Sequence, residues 1–308
     1  MPSNLTVVFV SLLLATPAVI FWLWLLIVPA RGAVLCPEGC WCDTGGYHIK
    51  CYNTPLNPVP LIHLTNVRIL EFERNVITFL EKNSFISLTE LEELQIVDCG
   101  LRTIELGAFN RLTELTELYI HSNEITEILP GTFDNLNSLE YLNLEFNRLK
   151  HVNSDLFSGL LNLKYVDLRK SNLQYLHPDT FLGLQNLQIV VLEFIPSLQI
   201  PTDRNFINSH SLLRLYISSC NISSVSVDTF ANLSALELLD LSDNNLKTVD
   251  INILRALPEL SSLLLYGNPL QWDCQLQEVL RWCKNSNIQT AYGDTAPECD
   301  TPKEVEGI

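Results

Sequence analysis

Hydrophobic residues in this chain recur with a period of 24 from Val67 to Leu270, and that recurrence limits the possible folds more than any other feature. Apolar side chains occupy offsets 0, 3 and 5 of each unit, and asparagine usually follows at offset 8. Leu115, Leu118, Ile120 and Asn123 make one unit, and Leu139, Leu142, Leu144 and Asn147 the next. Leu236, Leu239, Leu241 and Asn244, then Leu260, Leu263, Leu265 and Asn268, close the series. Nine units begin at residues 67, 91, 115, 139, 163, 187, 212, 236 and 260. A second register, about 18 residues into each unit, runs through Phe85, Phe109, Phe133, Phe157, Phe181, Phe206 and Phe230 and ends at Leu254.

The residues at offsets 3 and 5 alternate with polar ones, as a short strand with one buried face requires. No single unit can bury its own apolar side. The units must therefore stack, pair their strands in parallel, and merge the leucine and phenylalanine rows into one core. The strand row is narrower than the phenylalanine row, which bends the stack and leaves the strands on the concave side. The predicted fold class is an α/β solenoid: a curved, right-handed horseshoe with a parallel β-sheet on its concave face. The asparagine at offset 8 carries both donors and an acceptor, and it can satisfy turn backbone groups where the chain leaves the strand. Offset 8 is instead Cys99, Ser171, Ile195 and Cys220 in four units. The unit from Leu187 is one residue longer and carries Pro196 and Pro201, which predicts an irregular stretch from Phe194 to Pro201 and loss of the regular strand exit there.

Nine cysteines are unevenly placed. Cys36, Cys40, Cys42 and Cys51 lie at the front, Cys274, Cys283 and Cys299 at the back, and Cys99 and Cys220 between. A solenoid has two open core ends that must be covered, and the clusters sit where such caps belong. Four close cysteines allow three disulfide connectivities or a zinc site, and an exported location disfavours zinc. Export is the reading of the first residues: no charged side chain occurs from Thr6 to Ala30, and a small-residue site follows at Ala30, Arg31 and Gly32. The same stretch is long enough to span roughly 30 Å of hydrocarbon, so an uncleaved anchor is the alternative. Cys99 and Cys220 lie five units apart, roughly 24 Å at ordinary strand spacing, which is far beyond disulfide reach. They are expected to be reduced, buried and structural.

Together these residues resemble the extracellular, 24-residue type of the leucine-rich-repeat family, over roughly residues 36 to 308. Insect-type and vertebrate receptors and adhesion proteins of that kind carry cysteine-rich flanks at both ends. The resemblance implies pairing of Cys36 with Cys42 and of Cys40 with Cys51. At the other end, Asn268-Pro269-Leu270-Gln271-Trp272-Asp273-Cys274 is similar to the opening of the C-terminal flank, although the family usually has cysteine at the position of Trp272. Pairing of Cys274 with Cys299 is expected, with Cys283 left over as a free thiol or an intermolecular bridge, and the flank is expected to continue beyond Ile308. The expected organisation is a signal peptide or signal anchor over 1–32, an N-terminal cap over 33–66, nine repeats over 67–270, and a truncated C-terminal cap over 271–308.

Function then falls to the outward-facing columns at offsets 2, 4 and 6 of the strands. These are acidic in the early units and aromatic in the middle ones. Tyr119, Tyr141, Tyr165 and Tyr216, with His121, Asn143, Asp167 and Arg169, combine flat apolar area with hydrogen-bonding ends, the composition of protein-binding hot spots. Propensity offers a plainer explanation, since tyrosine suits any solvated strand. The formal charge of −16 disfavours nucleic acid and anionic lipid and points to a protein ligand of basic or mixed charge. A membrane enters only through the possible anchor, and no cofactor is expected. The chain lacks the G-x-S-x-G, H-E-x-x-H, phosphate-loop and dinucleotide signatures, which argues against an enzyme. A matrix or adhesion element acting by self-association is the alternative function. Asn221 and Asn232 begin sequons and are candidate glycosylation sites on a secreted or cell-surface protein.

Overall fold

The computed structural model describes residues 36–54, 66–271 and 274–290. A twelve-stranded sheet runs through them with its strands in chain order. It opens with the antiparallel pair Cys40–Cys42 and His48–Tyr52. The repeat strands follow: Ile69–Glu73, Glu93–Val97, Glu117–Tyr119, Tyr141–Asn143, Tyr165–Asp167, Ile189–Val191, Arg214–Tyr216, Leu238–Asp240 and Ser262–Leu264. Gln289–Thr290 closes the sheet. Every pairing after the first is parallel and steps by one repeat, so that Glu117 faces Tyr141 and Tyr141 faces Tyr165.

The core lies behind the sheet. Leu94, Leu118, Leu142, Val166, Val190, Leu215, Leu239 and Leu263 form its strand-side row, and all are fully buried. Phe85, Phe109, Phe133, Phe157, Phe181, Phe206 and Phe230 form its outer row. The rings from Phe85 to Phe181 stack at centroid spacings of 6.2, 6.1, 6.3 and 5.7 Å, whereas paired strands lie about 4.8 Å apart. On the opposite face Tyr141 and Tyr165 stack at only 4.4 Å. Spacing that widens steadily from the tyrosines through the strands to the phenylalanines requires a horseshoe with the sheet on its inner face. The convex side is made of turns, the 3-10 helices Pro178–Phe181 and Val227–Phe230, and the short helix Ile251–Arg255.

The offset-8 side chains form the turn ladder. Asn123 Nδ2 donates to the Ile96, Ile120 and His121 carbonyls at 2.7, 3.1 and 3.0 Å. Its Oδ1 accepts from the Cys99 and Leu101 amides at 3.1 and 3.0 Å. Where cysteine replaces asparagine the thiol takes over part of these contacts: Cys220 Sγ donates to the Leu192 and Ser218 carbonyls. Ser171 is too short for the task, and its buried Oγ has no partner.

The irregular unit behaves differently from the sequence expectation at one point. Its strand exit is regular: Phe194 adopts φ 56°, like Arg74, Asp98, Ser122, Phe146, Lys170, Ser219 and Asp243 at the same offset. The Leu192 and Phe194 amides bond the next strand at 2.7 and 3.0 Å. The exit survives without an asparagine because these are backbone bonds between units. The extra residue is taken up one step later, in a turn at Pro196–Ser197 closed by the Leu198 amide on the Ile195 carbonyl (3.0 Å), and the Gln199 amide is back in register on Gln174 (3.1 Å).

At the front, disulfides join Cys36 to Cys42 and Cys40 to Cys51, the pairing implied by the family resemblance. At the back, Cys274–Asn285 forms a helix that buries Leu276, Val279 and Cys283 against the core. Cys99, Cys220 and Cys283 are free and buried. The leader, Trp272, Cys299 and the Cys274 side chain, hence the expected Cys274–Cys299 pairing, lie outside the described residues.

Candidate protein-binding face

Strand register decides which concave residues meet. Tyr141 and Tyr165 occupy the offset-2 column side by side, with nearly parallel rings. Tyr119 belongs to the next column, opposite Asn143, and leans across so that its ring lies 5.0 Å from Tyr141 at 37°. Three aromatic rings thus form one continuous slab over three strands. Tyr216 shares a column with Asp167 but is separated from it by the Ile189–Val191 strand, and it stands apart from the slab.

Asn143 and Asp167 are buried, although strand alternation places them on the concave side. Their work is to position neighbours. Asp167 is only 1 % exposed and accepts from Arg169 Nε at 3.0 and 2.9 Å, from the Arg169 amide at 3.0 Å, and from the Tyr165 hydroxyl at 3.0 Å. Arg169 also lies between Glu145 and Glu193, at 3.4 and 3.8 Å, and Nη2 donates to the Tyr165 hydroxyl at 3.3 Å. Asn143 Oδ1 accepts from the Glu145 amide at 2.9 Å. A guanidinium held by a buried carboxylate and flanked by two others is fixed in position, and the Asp167 hydrogen bonds raise its already high pKa further.

The tyrosine hydroxyls remain neutral donors. Burial raises the pKa of Tyr119, and its 2.5 Å bond to Glu117 adds to the effect. Burial and the charge of Asp167 do the same for Tyr165. His121 borders the slab with Nδ1 3.1 Å from Ser122 Oγ, and burial lowers its pKa against the pull of Glu145 and Asp167. Among the described residues no group of three or more His, Cys, Asp or Glu could hold a metal ion.

Glu145 and Glu193 share the offset-6 column with Arg169, where the 24-residue period puts them, and the structure brings both carboxylates to its guanidinium. Sequence reasoning missed one part of this face. Phe146 and Phe194, at turn positions where a left-handed backbone costs a non-glycine residue about 1–2 kcal/mol, are 46 and 49 % exposed. Of the two sequon asparagines, Asn221 is exposed and its Oδ1 accepts from the Asn245 amide group. Asn232 Nδ2 donates to Asn208 Oδ1 at 2.8 Å.

The stacked units and their turn ladder define a class, the repeat solenoids. The leucine-rich-repeat profile matches residues 89–149, 141–194 and 210–270, together more than half of the chain. The chain belongs to the leucine-rich-repeat family. It is 41 % identical over 78 residues to a phospholipase A2 inhibitor from Gloydius brevicaudus siniticus, a stretch covering 25 % of this chain and 23 % of that protein. The chain thus spans about a quarter of the length of the curated relatives it matches. Its fold is similar to that of human 5T4, or trophoblast glycoprotein, with TM-score 0.58, 24 % identity, and coverage of 88 % of this chain and 93 % of the other. Drosophila Toll in complex with Spatzle gives TM-score 0.59 and 20 % identity over 75 % of this chain and 30 % of that one.

Proposed function

We propose that this protein is an extracellular binding module that captures a protein ligand on its concave face. The observation that carries this reading is the slab of Tyr119, Tyr141 and Tyr165 beside Arg169, which Asp167, Glu145 and Glu193 fix in position. Stacked rings and a clamped guanidinium have lost their rotamer freedom before any partner arrives, so association costs less entropy. Tyrosine and arginine are also the side chains that dominate interface energetics. Related proteins support a protein partner: one matched relative is named for inhibiting phospholipase A2, and Toll is solved with Spatzle.

The partner is basic or of mixed charge, because a net charge of −16 attracts such surfaces and repels phosphate backbones. Binding, not turnover, is the activity. Two disulfides in the cap support a location on the oxidising side of a membrane, in a secreted protein or at the cell exterior. Among the described residues no helix is long and apolar enough to cross a membrane. Exposed Asn221 suits a glycan, whereas Asn232 is half-buried and its nitrogen, the atom a glycan would take, already bonds Asn208.

The test is a binding screen against an array of recombinant extracellular proteins, comparing the native chain with Tyr141→Ala/Tyr165→Ala. Loss of the captured partner by the folded double variant is the expected result. Equal capture by both would refute the reading.

A further inference from the structure

Beside the concave slab the strand-exit turns carry a second ordered row. Phe146, Lys170 and Phe194 occupy the same offset of three successive units, and their backbones are joined in series: the Phe146 amide bonds the Arg169 carbonyl and the Lys170 amide bonds the Glu193 carbonyl, at 3.0 and 2.9 Å. Lys170 Nζ lies 4.3 Å from the Phe146 ring centroid and 5.1 Å from that of Phe194. An ammonium is thereby sandwiched between two exposed phenyl groups. All three residues hold the left-handed backbone at φ 52°, 53° and 56°, and neither phenyl group is part of the core.

Charge separates this row from the one next to it. Glu145, Arg169 and Glu193 directly precede the three residues, and there the arginine is saturated by Asp167 and flanked by both glutamates. Lys170 makes no ion pair among the described residues and is exposed, so its ammonium is free to take an anionic partner from solvent. A shallow cavity of about 370 Å³ lies alongside, lined by Phe146, Lys170, Arg148, Glu124, Ser122 and Asp98 among others. An apolar pair separated by one unsatisfied ammonium is complementary to a carboxylate flanked by apolar side chains.

We propose that the Phe146–Lys170–Phe194 rim is a docking site for a protein segment that presents an acidic side chain between apolar ones, with the carboxylate on Lys170 and its neighbours on the two phenyl faces. The rim extends the concave contact over the edge of the horseshoe, and this inference rests on the reading of the protein as a binder of proteins. Its partner surface is of mixed charge, with basic groups facing the acidic concave columns and one acidic group on the rim.

The probe is a phage-displayed library of random 16-residue peptides selected on the immobilised full chain. The selected sequences are expected to converge on Asp or Glu between aromatic or aliphatic residues. A synthetic copy, measured by fluorescence anisotropy, should bind Phe146→Ser/Phe194→Ser and Lys170→Glu at least tenfold more weakly. Selection on folded Lys170→Glu should switch the central residue to Lys or Arg, a readout that general destabilisation cannot produce. Sequences with no acidic centre, or undiminished binding to both rim variants, overturn the rim site. Tyr141→Ala/Tyr165→Ala separates the two readings. A peptide lost by that variant but kept by the rim variants refutes the rim alone; the converse pattern upholds the rim and leaves the slab to the protein-capture test.

Discussion

Replacing Asn123 by alanine should be among the most damaging single changes in the repeats, although it removes only three heavy atoms. Asn123 makes five hydrogen bonds to backbone groups, with the Ile96, Ile120 and His121 carbonyls and the Cys99 and Leu101 amides. Alanine leaves the two amides without their acceptor in a turn that water does not reach. Each orphaned buried group costs about 1–3 kcal/mol, so the two amides alone give a loss on the order of 4 kcal/mol. Ser171→Ala is the matched control at the same offset. Its buried Oγ has no partner, and removing it should leave stability unchanged or raise it by about 1 kcal/mol. Urea unfolding followed by circular dichroism compares the variants, and because repeat arrays need not unfold in two states, hydrogen exchange at the Cys99 and Leu101 amides supplies the local readout. Those amides should lose protection in Asn123→Ala and keep it in Ser171→Ala. A loss below about 1 kcal/mol for Asn123→Ala, or equal losses for the two variants, would refute the ladder as a source of stability.

Arg169→Ala strands the buried Asp167 carboxylate and should destabilise by about 3 kcal/mol, with Arg169→Ala/Asp167→Asn recovering most of the loss; thermal melting checks both. Burial pushes the Cys99, Cys220 and Cys283 thiols up to about 11, about 12 and about 11. Iodoacetamide at pH 8 should therefore leave all three unmodified in the native chain and alkylate them in guanidinium, as mass spectrometry would show. Burial lowers the His121 pKa below 6.5 in the fold, so the unfolded chain takes up that proton first. Its share of stability is full above the unfolded value and falls as pH drops from about 6.5 toward the lower folded value. His121→Gln should flatten that part of the stability profile.

Periodicity made the strands, the core rows and the concave columns legible, because offsets 3 and 5 can be buried only if every unit adds one strand. It did not reveal that Asn143 and Asp167 are covered. Alternation says which face a side chain points to, but curvature crowds that face, and the long neighbours at offsets 2 and 6, Tyr165 and Arg169, close over offset 4. The regular strand exit at Phe194 is hidden from the sequence for a related reason: it rests on backbone bonds to the next unit, which a missing asparagine does not remove. Cys99 and Cys220 are buried as expected, and each also occupies the hydrogen-bonding position of an asparagine, which burial alone does not imply. The spacing puts Phe146, Lys170 and Phe194 at one offset, but turn positions carry no hydrophobic period, so nothing in the sequence marks the two rings as exposed or the ammonium as lying between them.

Hydroxyl-radical footprinting of the chain, alone and with a captured protein partner, bears most directly on the assignment of the binding face. Side-chain oxidation of Tyr119, Tyr141 and Tyr165 should fall on complex formation, while exposed Leu161 and Leu182 away from the sheet stay as reactive as before. Protection at those leucines, with the three tyrosines unchanged, would contradict it.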